Sequence, residues 1–239
     1  MALRNNGQLI KLRNFLSGLR PRNRFLTRRK LKNLSKLEKR VNSDLAYLYS
    51  GLHPKHLFYT RHEWVEQFIG KDDIVVDIAS GTGCCAYNLA KKCRKVIAMD
   101  FQKIQGRFLD RDNLEFHHGD ILEILPDLKE DYTFAVVFHI LEHLDEPVEF
   151  LKKVRAGRIA VIVPHEENWL VSVKKDLGLN WLGDRTHRRL YNHDMLRRHL
   201  TEAGYTEIRL MEFDGDNGLR ALASRKSRPE AKGALKEQP

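Results

Sequence analysis

The sequence predicts an α/β protein. Its expected core is a doubly wound, mostly parallel sheet with a terminal antiparallel strand, and a basic helical extension precedes it. Three observations lead there. From residue 55 onward, short and almost wholly apolar runs alternate with amphipathic ones. The first apolar run ends in a glycine turn, Gly81-Thr82-Gly83, before a helical pattern begins. And the positive charge is concentrated at one end. A strand that is apolar on both faces belongs to a parallel sheet covered by helices on both sides, which the alternation supplies.

Residues 1–40 carry 13 Lys/Arg and a single acid, Glu38, whereas the remaining chain carries 29 Lys/Arg against 31 Asp/Glu. The net charge of +10 therefore belongs to the extension, and the globular part is close to neutral. Leu9, Ile10, Leu12, Phe15, Leu16 and Leu19 interleave with Lys11, Arg13 and Arg20. That mixture suits a helix on an anionic membrane surface, an RNA-binding arm, or an extension packed on the domain. A three-and-four spacing of Leu31, Leu34, Val41, Leu45 and Leu48 predicts a further amphipathic helix, ended by Gly51 and Pro54. We set the extension at 1–54, the main domain at 55–225 and an expected disordered tail at 226–239, where "SRPEAKGALKEQP" has little to bury.

Within the main domain, "RHEWVEQFI" predicts a helix, "DIVVDIA" the first strand and "AYNLAKKC" a helix. "KVIAMD", "LEFHHGD" and "DYTFAVVFHIL" predict the next three strands, with "PVEFLKKV" the helix behind the last. "RIAVIVP" is the fifth strand, and "HDMLRRHLTEAGY" a helix capped by Gly204. "TEIRLMEFDG" and "LRALASRK", close together around a turn-rich Asp214–Gly218 stretch, predict an antiparallel pair. A hydrophobic content of 42% with 31% charged residues describes a soluble chain, and there is no run of about 18 apolar residues. No secretory signal is evident. Cys84, Cys85 and Cys93 form no C-x-x-C pair, which points to a cytoplasmic chain without a thiolate metal site.

In a doubly wound sheet the ligand lies beyond the carboxyl ends of the strands. Gly81 and Gly83 sit there, able to take positive φ and carrying no side chain to keep a ligand off the backbone. Asp100 ends the second strand, 19 residues after Gly81, where a carboxylate can accept bonds from both hydroxyls of a ribose. Asp120, at the end of the third strand, is within reach of an adenine amino group. The pattern is not the G-x-G-x-x-G of dinucleotide-binding domains, because Ala86 stands three after Gly83 and Ala79 two before Gly81.

Taken with "HILEHLDEPVEFL" after the fourth strand, this set resembles the class I S-adenosylmethionine-dependent methyltransferases, whose fold is Rossmann-like. Asp77–Gly83 matches that family's D-x-G-x-G-x-G motif with Ala79 in place of the first glycine. The resemblance covers about residues 55–225. It implies S-adenosylmethionine as cofactor, with Asp77, Ala79, Gly81, Gly83, Asp100, Phe101, Asp120, Ile121, His139 and Tyr59 as donor-binding residues. Asp77 would support the loop or the donor's amino group, or else serve as a capping carboxylate. Arg61 and His62 are further candidates for the methionine carboxylate.

The resemblance also places the end of the fourth strand beside the transferred methyl. An alcohol acceptor needs a base there, and the catalytic candidates are His143, Glu142, His139 and His187, with His143 foremost. Alternatively, Glu142 and His143 open the next helix and brace the donor loop. A metal is not favoured, but H-x-x-E-H with a later histidine is similar to the E-x-x-E-H…H site of small-RNA 2′-O-methyltransferases, so His139, Glu142, His143 and His187 form an optional metal set. Asp184, His187, Arg188 and Tyr191, in "WLGDRTHRRLYNHDML", are expected on the acceptor side. The expected function is O-methylation of a sugar hydroxyl in a surface glycan or its lipid-linked precursor, by an enzyme peripheral to the inner face of a membrane. A quinone-like or other small hydroxylated acceptor, or RNA, is the alternative for an enzyme. A donor-binding protein without catalysis is the alternative outside that class.

Overall fold

The computed structural model describes residues 61–225 apart from 105, 107–109, 168, 183 and 214–217, together with the helical positions Leu26 and Arg29. The expectations for the basic extension, Tyr59 and the tail at 226–239 lie outside the described residues.

The chain runs α1 (Arg61–Glu66), β1 (Ile74–Ile78), α2 (Cys84–Leu89), β2 (Lys95–Asp100), β3 (Leu114–His118), α3 (Ile121–Asp127) and β4 (Phe134–Phe138). It continues with α4 (Pro147–Lys153), β5 (Arg158–Pro164), α5 (Trp169–Asp176), α6 (His193–Glu202), β6 (Glu207–Phe213) and β7 (Gly218–Ser224). The seven strands form one sheet in the order β3-β2-β1-β4-β5-β7-β6. β1 to β5 pair in parallel, and β7 is antiparallel to both β5 and β6. The predicted α/β class, the parallel core and the terminal antiparallel pair are all present.

Alternation along the strands builds two cores. Val76 and Ile78 of β1, Ile97 and Met99 of β2 and Val137 of β4 face one side, with Leu151 of α4 and Leu196 and Leu200 of α6. Val75, Val96, Ala98 and Val136 face the other, against Val65 of α1 and Ala86 and Leu89 of α2. Each fully buried Val, Leu or Ile contributes about 1.5–3 kcal/mol relative to exposure. Two helices were not anticipated. In α3 the run Ile121–Asp127 contains Pro126, yet the Asp120 carboxylate caps it by accepting from the Leu122 amide at 2.8 Å. α5 is the second, following β5. Among the described residues no helix is long and apolar enough to cross a membrane.

Candidate active site

The strand-to-helix turn after β1 closes on β2. The Ser80 amide donates to the Met99 carbonyl (3.0 Å) and the Gly83 amide to the Ser80 carbonyl (3.1 Å). The Gly81 amide donates to Asp100 Oδ2 at 2.7 Å, and the Gln102 amide to Asp100 Oδ1 at 2.8 Å. Asp100, buried at the end of β2, thus anchors the loop through both oxygens; each keeps further acceptor capacity. The turn is left-handed at Ala79 (φ 61°), Gly81 (φ 58°) and Gly83 (φ 85°). Glycine does this freely, but Ala79 pays about 1–2 kcal/mol of steric strain.

What this loop leaves open fits the expected donor. A Cβ built on Gly81 would meet nothing within 4 Å, so the space above it is free. Beneath it Asp77 Oδ2, Ser80 Oγ and Thr82 Oγ1 are buried with no hydrogen-bond partner. Burial, and then the like charge of Asp100, push the Asp77 carboxyl up to about 7, against a smaller lowering by the Ala86 amide. A cationic ammonium or sulfonium nearby would relieve both effects. Phe101, directly after Asp100, holds an apolar ring 71% exposed at the rim, as a flat base would require. Asp120 spends Oδ1 on the α3 cap, and the Ile121 side chain enters the core, which leaves only its backbone at the rim.

The second half of the site follows β4. His139 takes φ 54°, held by its amide on the Ile162 carbonyl at 2.8 Å. This strained residue aims Nδ1 at Glu142 Oε1, 3.3 Å away. Glu142 is fully buried and its Oε2 has no hydrogen-bond partner. Glu142 and His143 lie in a turn and do not open the next helix, because α4 starts at Pro147. The chain after α5 then folds over them, the Arg188 amide donating to the Glu142 carbonyl at 2.8 Å.

That segment orients both imidazoles. The Thr186 amide and hydroxyl each reach Asp184 Oδ1 at 2.8 Å, and the Thr186 oxygen lies 2.9 Å from His143 Nδ1. These two bonds hold the Asp184 carboxyl below its ordinary value. With its one proton given to Asp184, Thr186 can only accept from His143, so Nδ1 carries a hydrogen and, in the neutral ring, Nε2 is the acceptor. His187 Nδ1 lies 2.8 Å from the Leu182 carbonyl, an acceptor only, so in the neutral ring its Nε2 is likewise the acceptor. The two rings meet edge to face at 4.7 Å between centroids. Glu142, His143 and His187 each offer a metal-ligand type of atom within 4.8 Å of the others.

Three expectations need correction. His139 is not part of the metal-capable group; it orients Glu142 instead. Tyr191 faces no acceptor, for it is fully buried with its hydroxyl donating to the Leu141 carbonyl at 3.4 Å, and burial raises it to about 12. Arg188 contributes its amide, while its guanidinium pairs with Asp145 in solvent at 3.2 Å. Thr186 was overlooked, although Asp-x-Thr is the spacing at which an aspartate accepts from the amide two residues on.

The family match settles the class. A family model described as "Methyltransferase domain" fits residues 22–210. The chain belongs to this family. It is a class I S-adenosylmethionine-dependent methyltransferase, in agreement with the sheet order and the glycine loop. A ribosomal protein L11 methyltransferase of Burkholderia lata is 32% identical over 99 residues, which is 41% of this chain and 32% of that enzyme. The chain thus matches about a third of the length of that curated relative. Among solved structures, the small RNA methyltransferase HEN1 aligns with a TM-score of 0.57 at 16% identity, over 71% of this chain and 25% of the other. Magnesium protoporphyrin IX methyltransferase of Synechocystis PCC 6803, with bound S-adenosylhomocysteine, aligns with a TM-score of 0.55 at 18% identity, over 70% and 80%. At such identities these two establish a shared fold.

Proposed function

We propose that this methyltransferase acts on oxygen, and that its acceptor is a sugar hydroxyl of a surface glycan or its lipid-linked precursor. One observation carries the oxygen assignment. His143 is held by Thr186 and Asp184 with Nε2 as a free acceptor, beside a second such nitrogen on His187. An alcohol must lose its proton as it attacks, and such a nitrogen takes it; a neutral amine or a thiolate depends on a base far less. Bound over Gly81, S-adenosylmethionine supplies an electrophilic methyl group on a sulfonium. Asp77 answers the donor's ammonium, Asp100 the ribose, and the Phe101 ring the adenine. Asp184 and Thr186 keep His143 in its proton-accepting tautomer, and Glu142 is fixed by His139.

The glycan assignment draws on the D-x-T-H segment and on the basic, Leu-rich extension at 1–54, which would bring the enzyme to an anionic membrane face. A second reading has its own support. The orphaned Glu142 Oε2 with two lone-pair imidazole nitrogens would hold a divalent metal that polarises the acceptor hydroxyl.

The test is labelled-methyl transfer from S-adenosylmethionine into fractionated cell extract, with and without a chelator. Label in the glycolipid or polysaccharide fraction, lost in His143→Gln and kept with chelator, is the expected result. Loss with chelator selects the metal reading. Label confined to RNA, protein or small phenols overturns the glycan assignment, and an active His143→Gln overturns the base.

A further inference from the structure

A second cluster of ligand-type side chains stands apart from the one just described, on other elements. His165 follows β5, His193 is the first residue of α6, and Glu212 lies near the carboxyl end of β6. His165, His193 and Glu212 each offer a ligand atom within 4.8 Å of the other two. We propose that His165, His193 and Glu212 form a binding site for a zinc-like transition dication, which clips the rim of the sheet to the start of α6.

The pair His193–Glu212 alone would need no such explanation. Their Nε2 and Oε1 atoms are 3.3 Å apart, and a half-exposed ion pair accounts for them. His165 is what an ion pair leaves over. It is 9% exposed, and its Nε2 is buried with no hydrogen-bond partner. The nearest carboxylate, Glu167, stays 3.8 Å away, beyond a hydrogen bond. A buried imidazole nitrogen left without a hydrogen-bond partner is the kind of atom that a metal ion satisfies. Its backbone is rigid. The Tyr191 amide donates to the Pro164 carbonyl at 3.0 Å and the Glu166 amide to the Tyr191 carbonyl at 2.7 Å, on either side of it.

Geometry and chemistry agree on the class of ion. Metal–ligand bonds of about 2.0–2.2 Å in a tetrahedron set ligand atoms about 3.4 Å apart. The His193–Glu212 separation already matches, and the His165 and His193 rings stand 5.2 Å apart edge to face. Two imidazoles and one carboxylate favour zinc and its neighbours over magnesium or calcium, which prefer all-oxygen shells. Glu167, 3.8 Å from His165 Nε2, is near enough to swing in as a fourth ligand, or water takes that place. The occupied clip would tie His193, and with it the segment carrying Thr186 and His187, to β5 and β6.

The full chain, stripped with chelator, is titrated with Co²⁺ followed by Zn²⁺, reading the visible ligand-field band and the thermal midpoint. One equivalent should bind through nitrogen and oxygen, and saturating Zn²⁺ should raise the midpoint by about 5 °C. His193→Gln and Glu212→Gln, both at partly or well exposed positions, should each lose that equivalent, a drop larger than the roughly 10–100-fold that loss of a supporting partner costs. His187→Gln should keep it, which separates this clip from any ion at Glu142. Metal binding unchanged in both His193→Gln and Glu212→Gln overturns the proposal, and so does the absence of Zn²⁺ binding at this stoichiometry in the wild-type chain.

Discussion

Two aspartates four residues apart show how differently the two ends of β1 are built. Asp73, just before the strand, accepts from the Gly70 amide and the Thr133 hydroxyl, both at 2.6 Å, and from the Arg158 guanidinium at 2.5 Å. Burial alone would raise its carboxyl, but these partners outweigh it and hold it below its ordinary value. Asp77, on the strand, is more deeply buried, has one oxygen without a partner, and is pushed up to about 7. The amino end of the sheet is satisfied, and its polar groups serve the fold. At the carboxyl end Asp77 lacks such partners, a deficit that a cationic group bound nearby would relieve. An unsatisfied buried carboxylate is thus a better pointer to a ligand than a paired one.

The comparison can be broken most directly at Asp100. Asp100→Ala removes the ribose acceptor and the anchor of Gly81, and two charge-assisted bonds of about 1.5–3 kcal/mol each make the expected loss of donor affinity about 10²–10⁴-fold by calorimetry. Unchanged affinity would sink the ribose assignment. At the opposite end, Asp73→Ala should cost about 1–3 kcal/mol of folding stability in denaturant titration, with donor affinity of the folded fraction unaltered. A binding defect there would erase the contrast between the ends.

Asp77→Asn should do the reverse of Asp73→Ala: raise the thermal midpoint of the free protein at pH 8 while weakening the donor, about 10-fold or more. Its folded value of about 7 exceeds the unfolded value near 3.8, so the native state holds an extra proton between them. Stability from this group therefore falls as pH rises from about 4 to 7, and levels above that. Donor affinity should climb through the same window, up to about tenfold per unit, with proton release on binding below pH 7; Asp77→Asn should flatten both. Asp73 runs the other way, its contribution present above the unfolded value near 3.8 and lost as pH falls below it. The smallest effect is expected from Ala79→Gly, which relieves the left-handed alanine and should stabilise by about 1 kcal/mol or less, the glycine's unfolded-state entropy offsetting part of the gain.

The glycine turn and its Asp100 anchor were legible in the sequence because their spacing is local. Gly81 and Asp100 lie one helix apart along the chain, and the apolar runs of β1 and β2 fix where each ends. The contacts of the segment after α5 were less so. Thr186 meets His143 across 43 residues, and no periodicity announces such a pairing. Tyr191 was misread because a tyrosine serves a core as readily as a pocket; only the Leu141 carbonyl beneath it decides. α3 was hidden by Pro126, which reads as a break but falls within a single Asp-capped helix of seven residues.

The strand order carries a last consequence, for how the chain is made. β7 lies between β5 and β6, though it is the last of the three in the chain. As synthesis proceeds, β6 leaves the ribosome with no neighbour to pair with, and β5 shows a bare edge, until Gly218–Ser224 arrives to join them. A nascent chain stopped short of Gly218 would hold two adhesive strand edges at once, which makes this interval the one in which the protein depends most on being shielded from other copies of itself.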